Sequence, residues 1–486
     1  MTGRDDTGVL LVFQAGLLGV LAFTLSSGWL TPAGRFWLFG AAFALVALLA
    51  VRADRRDREL DVFAPLLPSI VLLYLYVSSS ALYATETGTT LYGDPVGRDV
   101  MRTFYLASLV GLTGLSVGYL LGRSRPASLP GWLRIDPSFT DADFLRQLRW
   151  MVPALGLLCL PWVLEAFDFV RVRPYAETAL EGRLLKREQG SGQPLAEVFL
   201  QQVPLVLLMA LGILLVFRSR RASWKIVGAG LVGAHAATAL LGGQRGVLMM
   251  AGTVVLVFVH YRVHRLRGWT LAGVFASGYL VVNALSFVRL TSDPAEMLSL
   301  LRTAWEGGDL RFLALSQSGE FAVGQNLMRL ISAIQDGQVG FTWGSSVVTE
   351  LLVFVPRAVL PSRPLPLAEQ FVEVFYPGIR EIGGGYGFFY LMEGYWALGL
   401  PGVFLFMTAF GWSVSVVYRA FTEGRMTDFQ ALWYAYALYA LVLSSVRTGI
   451  IGAFKAALLA SIPFLLVLGV RRLSAARARP VPEASG

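Results

Sequence analysis

Cysteine is almost absent from this chain, and so are histidine and lysine. The one cysteine, Cys159, lies in an apolar run and can form no disulfide within the chain. The histidines are His235, His260 and His264, which supply no zinc-type ligand constellation. The lysines are Lys186, Lys225 and Lys455, so nearly all positive charge is arginine. Charge of either sign is sparse: 15% of residues are charged, against roughly 25% in ordinary soluble domains. No P-loop or dinucleotide fingerprint occurs, which argues against nucleotide-driven pumping and nucleotide-sugar chemistry in a soluble domain. No repeat of 20–50 residues is visible either, and the halves share no broken-helix pattern, which argues against an inverted-repeat transporter.

Apolar length is what the chain has instead. Of its 486 residues 55% are hydrophobic, and the mean hydropathy is +0.60. Runs of about 20 apolar residues recur, the length that crosses a hydrocarbon core. They predict an all-α polytopic membrane protein with about twelve transmembrane helices. The predicted spans are 8–30, 35–51, 62–83, 101–121, 149–170, 196–217, 224–242, 246–260, 268–289, 398–418, 429–445 and 449–470. Residues 1–30 read as the first span rather than a leader, since "TGRDD" is not basic and no small-residue cleavage site follows.

The net charge of +9 is explained without nucleic acid. Arginines crowd "RADRRDREL" (52–60), "GRSRPASLPGWLRID" (122–136), "RSRRAS" (218–223), "YRVHRLR" (261–267) and "RRLSAARAR" (471–479). Every second loop carries them, so by the positive-inside bias that side is the cytoplasm, with both termini on it. Three regions follow: helices over 1–290, a large outer loop over 291–397, and the last helices with a basic tail over 398–486.

The outer loop is where chemistry is expected. Helical apolar spacing marks 294–305 and 324–334, and 345–360 reads as a helix on or dipping into the outer interface, ended by Pro361 and Pro364, with a true crossing paired with 386–396 coming back as the alternative. Arg357 and Arg363, in "PRAVLPSRP", flank prolines and suit bidentate gripping of phosphate oxygens; anchoring to lipid head groups is the plainer alternative. Arg245, in the tight "GGQRG" turn, is either a snorkelling helix-end arginine or a guanidinium aimed into a pocket. Glu393, in "YLMEGYW", is a lone carboxylate in an apolar run, costly there unless paired or functional. It is a candidate general base, with a structural ion pair as the alternative. Arg171 and Arg329 each open an R-x10-G segment, ending at Gly182 and Gly340, while Arg311 and Arg380 are further outer cations. Tyr386 and Tyr395 could stack on sugar faces or simply form an aromatic belt.

Taken together, "GGQRG", "GEF" before Gly344 to Ser346, "PRAVLPSRP" and "EGYWALGLPG" resemble the Wzy-type O-antigen and exopolysaccharide repeat-unit polymerases over Gly242 to Phe410. The first 230 residues match only as successive spans. The resemblance implies a GT-C-like, inverting glycosyltransferase of the bacterial inner membrane that works without metal or other cofactor. Donor and acceptor would be oligosaccharide units on undecaprenyl pyrophosphate, with a chain-length regulator as a protein partner. It assigns the R-x10-G segments to the saccharide; the leaving pyrophosphate needs guanidinium groups, for which Arg245, Arg357 and Arg363 are the candidates, and the acceptor hydroxyl needs a carboxylate, for which Glu393 is the candidate. An O-antigen ligase would need an outer-loop histidine, which is lacking here; a lipid-linked oligosaccharide flippase would show charges deep within several spans.

Overall fold

The computed structural model describes residues 30–55, 61–123, 139–158, 195–241, 245–288, 321–352, 354–355, 359–381, 386–423 and 426–477, with short pieces at 299, 302–303 and 306–307. Among them the chain is all helical, apart from two isolated bridges. The elements are α1 (Pro32–Arg55), α2 (Leu66–Thr87), α3 (Arg98–Arg123), α4 (Asp141–Leu158), α5 (Leu195–Arg218), α6 (Ala222–Leu241), α7 (Arg245–Arg262) and α8 (Gly268–Val288). After them come α9 (Val323–Gln335), α10 (Ser345–Leu352), α11 (Leu367–Phe375), α12 (Pro377–Glu381), α13 (Tyr390–Thr422), α14 (Asp428–Leu438), α15 (Ser445–Thr448) and α16 (Ile450–Arg477). A π-helical turn, Tyr439–Leu443, extends α14.

Helix occupies eleven of the twelve predicted stretches in their described parts; the first, 8–30, lies outside the described residues except for Leu30. Among the described residues six helices, α1, α2, α3, α7, α13 and α16, are long and apolar enough to cross a membrane. The protein is thus a membrane-associated all-α bundle.

The arginine-rich loops meet on one face. Arg123, ending α3, pairs with Asp54 of α1 at 2.7 Å. Arg218 of α5 and Arg262 of α7 both grip Asp428, the first residue of α14, and Arg262 also reaches Asp141 at 2.6 Å. Asp61 accepts hydrogen bonds from Tyr261 and Tyr418, each at 2.6 Å. The ends of α1, α2, α3, α4, α5, α7, α13 and α14 are therefore linked by polar contacts on this face, where the sequence placed its cationic loops.

Close helix contact builds the centre. Gly114, Gly118 and Gly122 of α3 lie against the backbone of α13, where a Cβ would overlap Phe404 O, Thr408 O and Trp412 O. Gly411 of α13 returns the contact to Leu115 O. Small residues four apart permit such approach, which van der Waals contact then stabilises in lipid.

The outer loop departs from expectation at its end. Helix α13 is bent into two limbs, since Leu398 (φ −147°, ψ 15°) and Gly399 (φ 69°, ψ −146°) are not helical. The Tyr390 and Phe410 rings lie 6.2 Å apart, whereas twenty residues of straight helix would separate them by about 30 Å. Residues 386–397 are therefore not surface loop. The chain descends as extended backbone to Tyr390, climbs as helix to Ala397, reverses at Gly399 and descends again through α13. Glycine takes the positive φ at the reversal and Pro401 opens the second limb, where a missing N–H costs nothing. Gly394 and Gly402 touch across the bend. Such irregular backbone is tolerated at membrane depth when protein covers it, and Phe388 and Phe389 are at most 1% exposed.

The other outer elements are shorter and more buried than predicted. Helix α9 fits the 324–334 prediction but sits in the core: Gln325, Asn326 and Leu327 are fully buried. Helix α10 has eight residues and does not cross. The 294–305 segment lies mostly outside the described residues.

Candidate functional site

The face opposite the paired arginines gathers two groups of polar side chains on either side of the start of α16. In the first, Arg245 opens α7 and is 8% exposed. Its neighbour Gly246 accepts a hydrogen bond from the Tyr439 hydroxyl at 2.7 Å. Tyr439 begins the π turn that leads to Arg447, and the Arg447 charge acts on Tyr439, Tyr76 and Tyr92. Tyr386 extends this wall, its ring 4.5 Å from both Tyr92 and Tyr376. Burial pushes the phenols of Tyr92 and Tyr376 upward, so both stay neutral hydrogen-bonding groups at ordinary pH.

The second group lies under α10 and α11. Glu350, 4% exposed, accepts a hydrogen bond from Leu367 N. Its carboxyl is held above the usual range by burial, a rise that the Leu367 N–H and the Lys455 charge oppose. Lys455 of α16 feels Arg363, Glu350 and Glu369. Arg363 Nη1 donates to Val355 O at 2.9 Å, closing the loop that carries "PSRP".

Glu393 stands between the groups, on the climbing limb of α13, and is 1% exposed. Its Oε1 accepts the Ile451 N–H at 3.3 Å. Its Oε2 meets no hydrogen-bond donor among the described residues, and neither does the buried Tyr390 hydroxyl nearby.

The predicted residues separate accordingly. Arg245 and Tyr386 share the first group, Arg363 belongs to the second, and Glu393 lies between them. Tyr395 is 5% exposed and packs on Phe341, an interior place rather than a sugar platform. Arg329 is tied by an ion pair to Asp94 and lies 5.8 Å over the Phe375 ring, joining α9 to the α2–α3 loop. Arg171, Arg311 and Arg357 lie outside the described residues, and of Arg380 only the backbone is described. Among the described residues no cluster of three or more His, Cys, Asp or Glu side chains is placed to hold a metal ion.

Arg447 was not a sequence candidate. It lies in a predicted three-residue turn, and nothing local distinguishes it from other helix-end arginines. Its significance comes from the π turn and the re-entrant segment, neither of which leaves a periodic trace. The reversal was more legible, because "GLPG" after an apolar run is a helix stop followed by a helix start. Comparison with protein-family models, curated proteins and solved structures finds no match.

Proposed function

We propose that the protein is a membrane glycosyltransferase that polymerises oligosaccharide repeat units carried on undecaprenyl pyrophosphate, in a twelve-span, GT-C-like architecture at the outer face of the bacterial inner membrane. The observation that carries this reading is that two separate helix junctions, the start of α7 with Arg245 and the α15–α16 turn with Arg447, both border Tyr439 on the face away from the arginine-rich loops. Guanidinium groups set in protein stabilise charge developing on a departing diphosphate better than in water. Arg363, with Arg357 in the same proline-flanked loop, would supply further cations to the carrier lipid. In the transfer, the acceptor oxygen bonds to the donor's anomeric carbon as the bond to pyrophosphate breaks, with inversion. The acceptor hydroxyl gives up its proton to a site carboxylate or to the departing diphosphate.

The re-entrant segment supports the same reading, since it carries polar backbone and Glu393 into the interior of the bundle beside the Arg447 turn. Cells carrying Arg245→Ala should lose long-chain glycan and accumulate single lipid-linked units on the outer leaflet, at unchanged protein level. A full ladder in Arg245→Ala and Arg363→Ala would contradict the reading. Units trapped on the inner leaflet would point to a flippase instead.

A further inference from the structure

Three tyrosines from distant parts of the chain meet away from the arginine-rich loops. Tyr92 lies in the loop between α2 and α3, Tyr376 caps the end of α11, and Tyr386 opens the re-entrant segment. The Tyr386 ring centre is 4.5 Å from each of the other two, and those of Tyr92 and Tyr376 are 5.5 Å apart. No pair is parallel: the planes meet at 44°, 77° and 61°, so the rings form a corner and leave part of their faces open. All three residues are half-buried. The Tyr376 hydroxyl donates to Asn326 Oδ1 at 3.5 Å, while those of Tyr92 and Tyr386 bond to nothing among the described residues.

One helix frames the corner, because three residues of α9 each grip a segment that carries one of the rings. Gln325 Oε1 accepts the N–H of Leu91, beside Tyr92. Asn326 Nδ2 donates to Gly387 O at 2.6 Å, beside Tyr386. Arg329 pairs with Asp94, two residues past Tyr92, and lies 5.8 Å over the ring of Phe375, the neighbour of Tyr376. The Tyr92 loop is also closed on itself, by Thr90 N to Asp94 O at 2.7 Å and Val96 N to Gly88 O at 2.9 Å. Gln325 and Asn326 are fully buried, and taking an amide out of water is costly unless it is bonded. The bonds that these two make go to backbone next to the tyrosines. An interfacial aromatic belt needs no such frame, since its rings anchor singly at the lipid boundary. A binding platform does, because its rings must keep a fixed angle. Aromatic faces take the C–H face of a pyranose, and phenol hydroxyls suit the sugar hydroxyls around its edge.

We infer that Tyr92, Tyr376 and Tyr386 form a saccharide subsite, in which a pyranose ring of the lipid-linked unit packs its C–H face into the tyrosine corner. This rests on the proposed polymerase reading for the identity of its ligand, though saccharide binding can be measured apart from it. The Arg447 charge acts on Tyr92, so the corner adjoins the junction that this reading gives to the diphosphate, as a sugar bonded to that diphosphate requires. Arg329, which the sequence resemblance gives to the saccharide directly, acts instead by holding the Tyr92 loop through Asp94.

The test uses the purified full chain, in detergent for melting and in proteoliposomes for chain extension. Its probes are lipid-linked units extracted from cells lacking this chain, the free oligosaccharide released from them by mild acid, and bare undecaprenyl pyrophosphate. Millimolar oligosaccharide should raise the melting temperature of wild type. Tyr92→Leu and Tyr386→Leu keep apolar bulk without an aromatic face. Both should lose that shift, keep the one given by bare undecaprenyl pyrophosphate, and raise KM about tenfold with kcat little changed. Tyr92→Phe and Tyr386→Phe keep the ring and should stay within about threefold of wild type. No oligosaccharide shift in wild type, or an undiminished one in both Leu variants, overturns the subsite. Phe variants as weak as their Leu counterparts overturn the stacking role, and loss of both shifts together in the Leu variants reduces the corner to a structural joint. An oligosaccharide shift in wild type that lengthens no glycan would leave the subsite standing and remove the polymerase reading. Lengthening by wild type with unchanged KM in the Leu variants would do the reverse.

Discussion

At the arginine-rich face, Asp428 is held by two arginines, Asp141 by a third contact from Arg262, and Asp61 by two tyrosine hydroxyls, His260 at 3.4 Å and the Phe63 N–H. At the opposite face, Glu393 Oε2 and the Tyr390 hydroxyl are buried with no partner among the described residues. The first face spends its carboxylates on arginine and tyrosine partners, joining loops that are far apart in sequence. The second keeps polar capacity in hand, and buried groups left in that state call for an explanation in function. The comparison suggests a division of labour, in which one face locks the bundle and the other binds.

If that division holds, the largest stability losses belong to the locked face. Asp428→Ala leaves Arg218 without its ion-pair partner and Arg262 with Asp141 alone, which should cost about 3–5 kcal/mol. Arg329→Ala, at an ion pair about a quarter exposed on the other face, should cost less, about 1–3 kcal/mol. Thermal melts of both variants in the same detergent give the ranking, and a larger loss in Arg329→Ala would break the comparison.

A smaller effect concerns acid, and it has opposite sign at the two faces. Burial raises the Asp61 carboxyl, but the bonds from His260, Tyr261, Tyr418 and Phe63 outweigh it and hold it below the ordinary value. Its stabilisation is present at neutral pH and is lost as pH falls below the ordinary aspartate value toward the lowered one. Glu350 is raised by burial, so its contribution is full below the ordinary glutamate value and is lost as pH rises through the folded one. Mild acidification should therefore stabilise wild type relative to Glu350→Gln, and stronger acid should destabilise wild type relative to Asp61→Asn. Parallel pH-melt curves for wild type and either variant would remove that residue from the account.

Much of the scaffold was legible because apolar length and arginine placement are local signals. The gathering of Asp54, Arg123 and Arg262 at one face accords with the arginine-rich stretches in which they lie, although the Arg262–Asp428 pairing itself could not be read there. The re-entrant limb was read as the end of an outer loop because Tyr386 to Ala397 is only half a span long. Arg329 looked like a ligand for saccharide until Asp94, from a loop 235 residues away, claimed its charge. Glu393 was singled out as a lone carboxylate in an apolar run, and the structure buries it, but the group it accepts from is a backbone amide, which sequence cannot name. Arg447 went unnoticed because a π turn has no pattern of its own.

The most direct measurement uses purified protein in proteoliposomes, supplied with a synthetic oligosaccharide unit on undecaprenyl pyrophosphate. The account predicts a ladder of lengthened glycan and one equivalent of released undecaprenyl pyrophosphate per unit joined, both lost in Arg447→Ala. Intact single units after prolonged incubation with folded wild-type protein would contradict it.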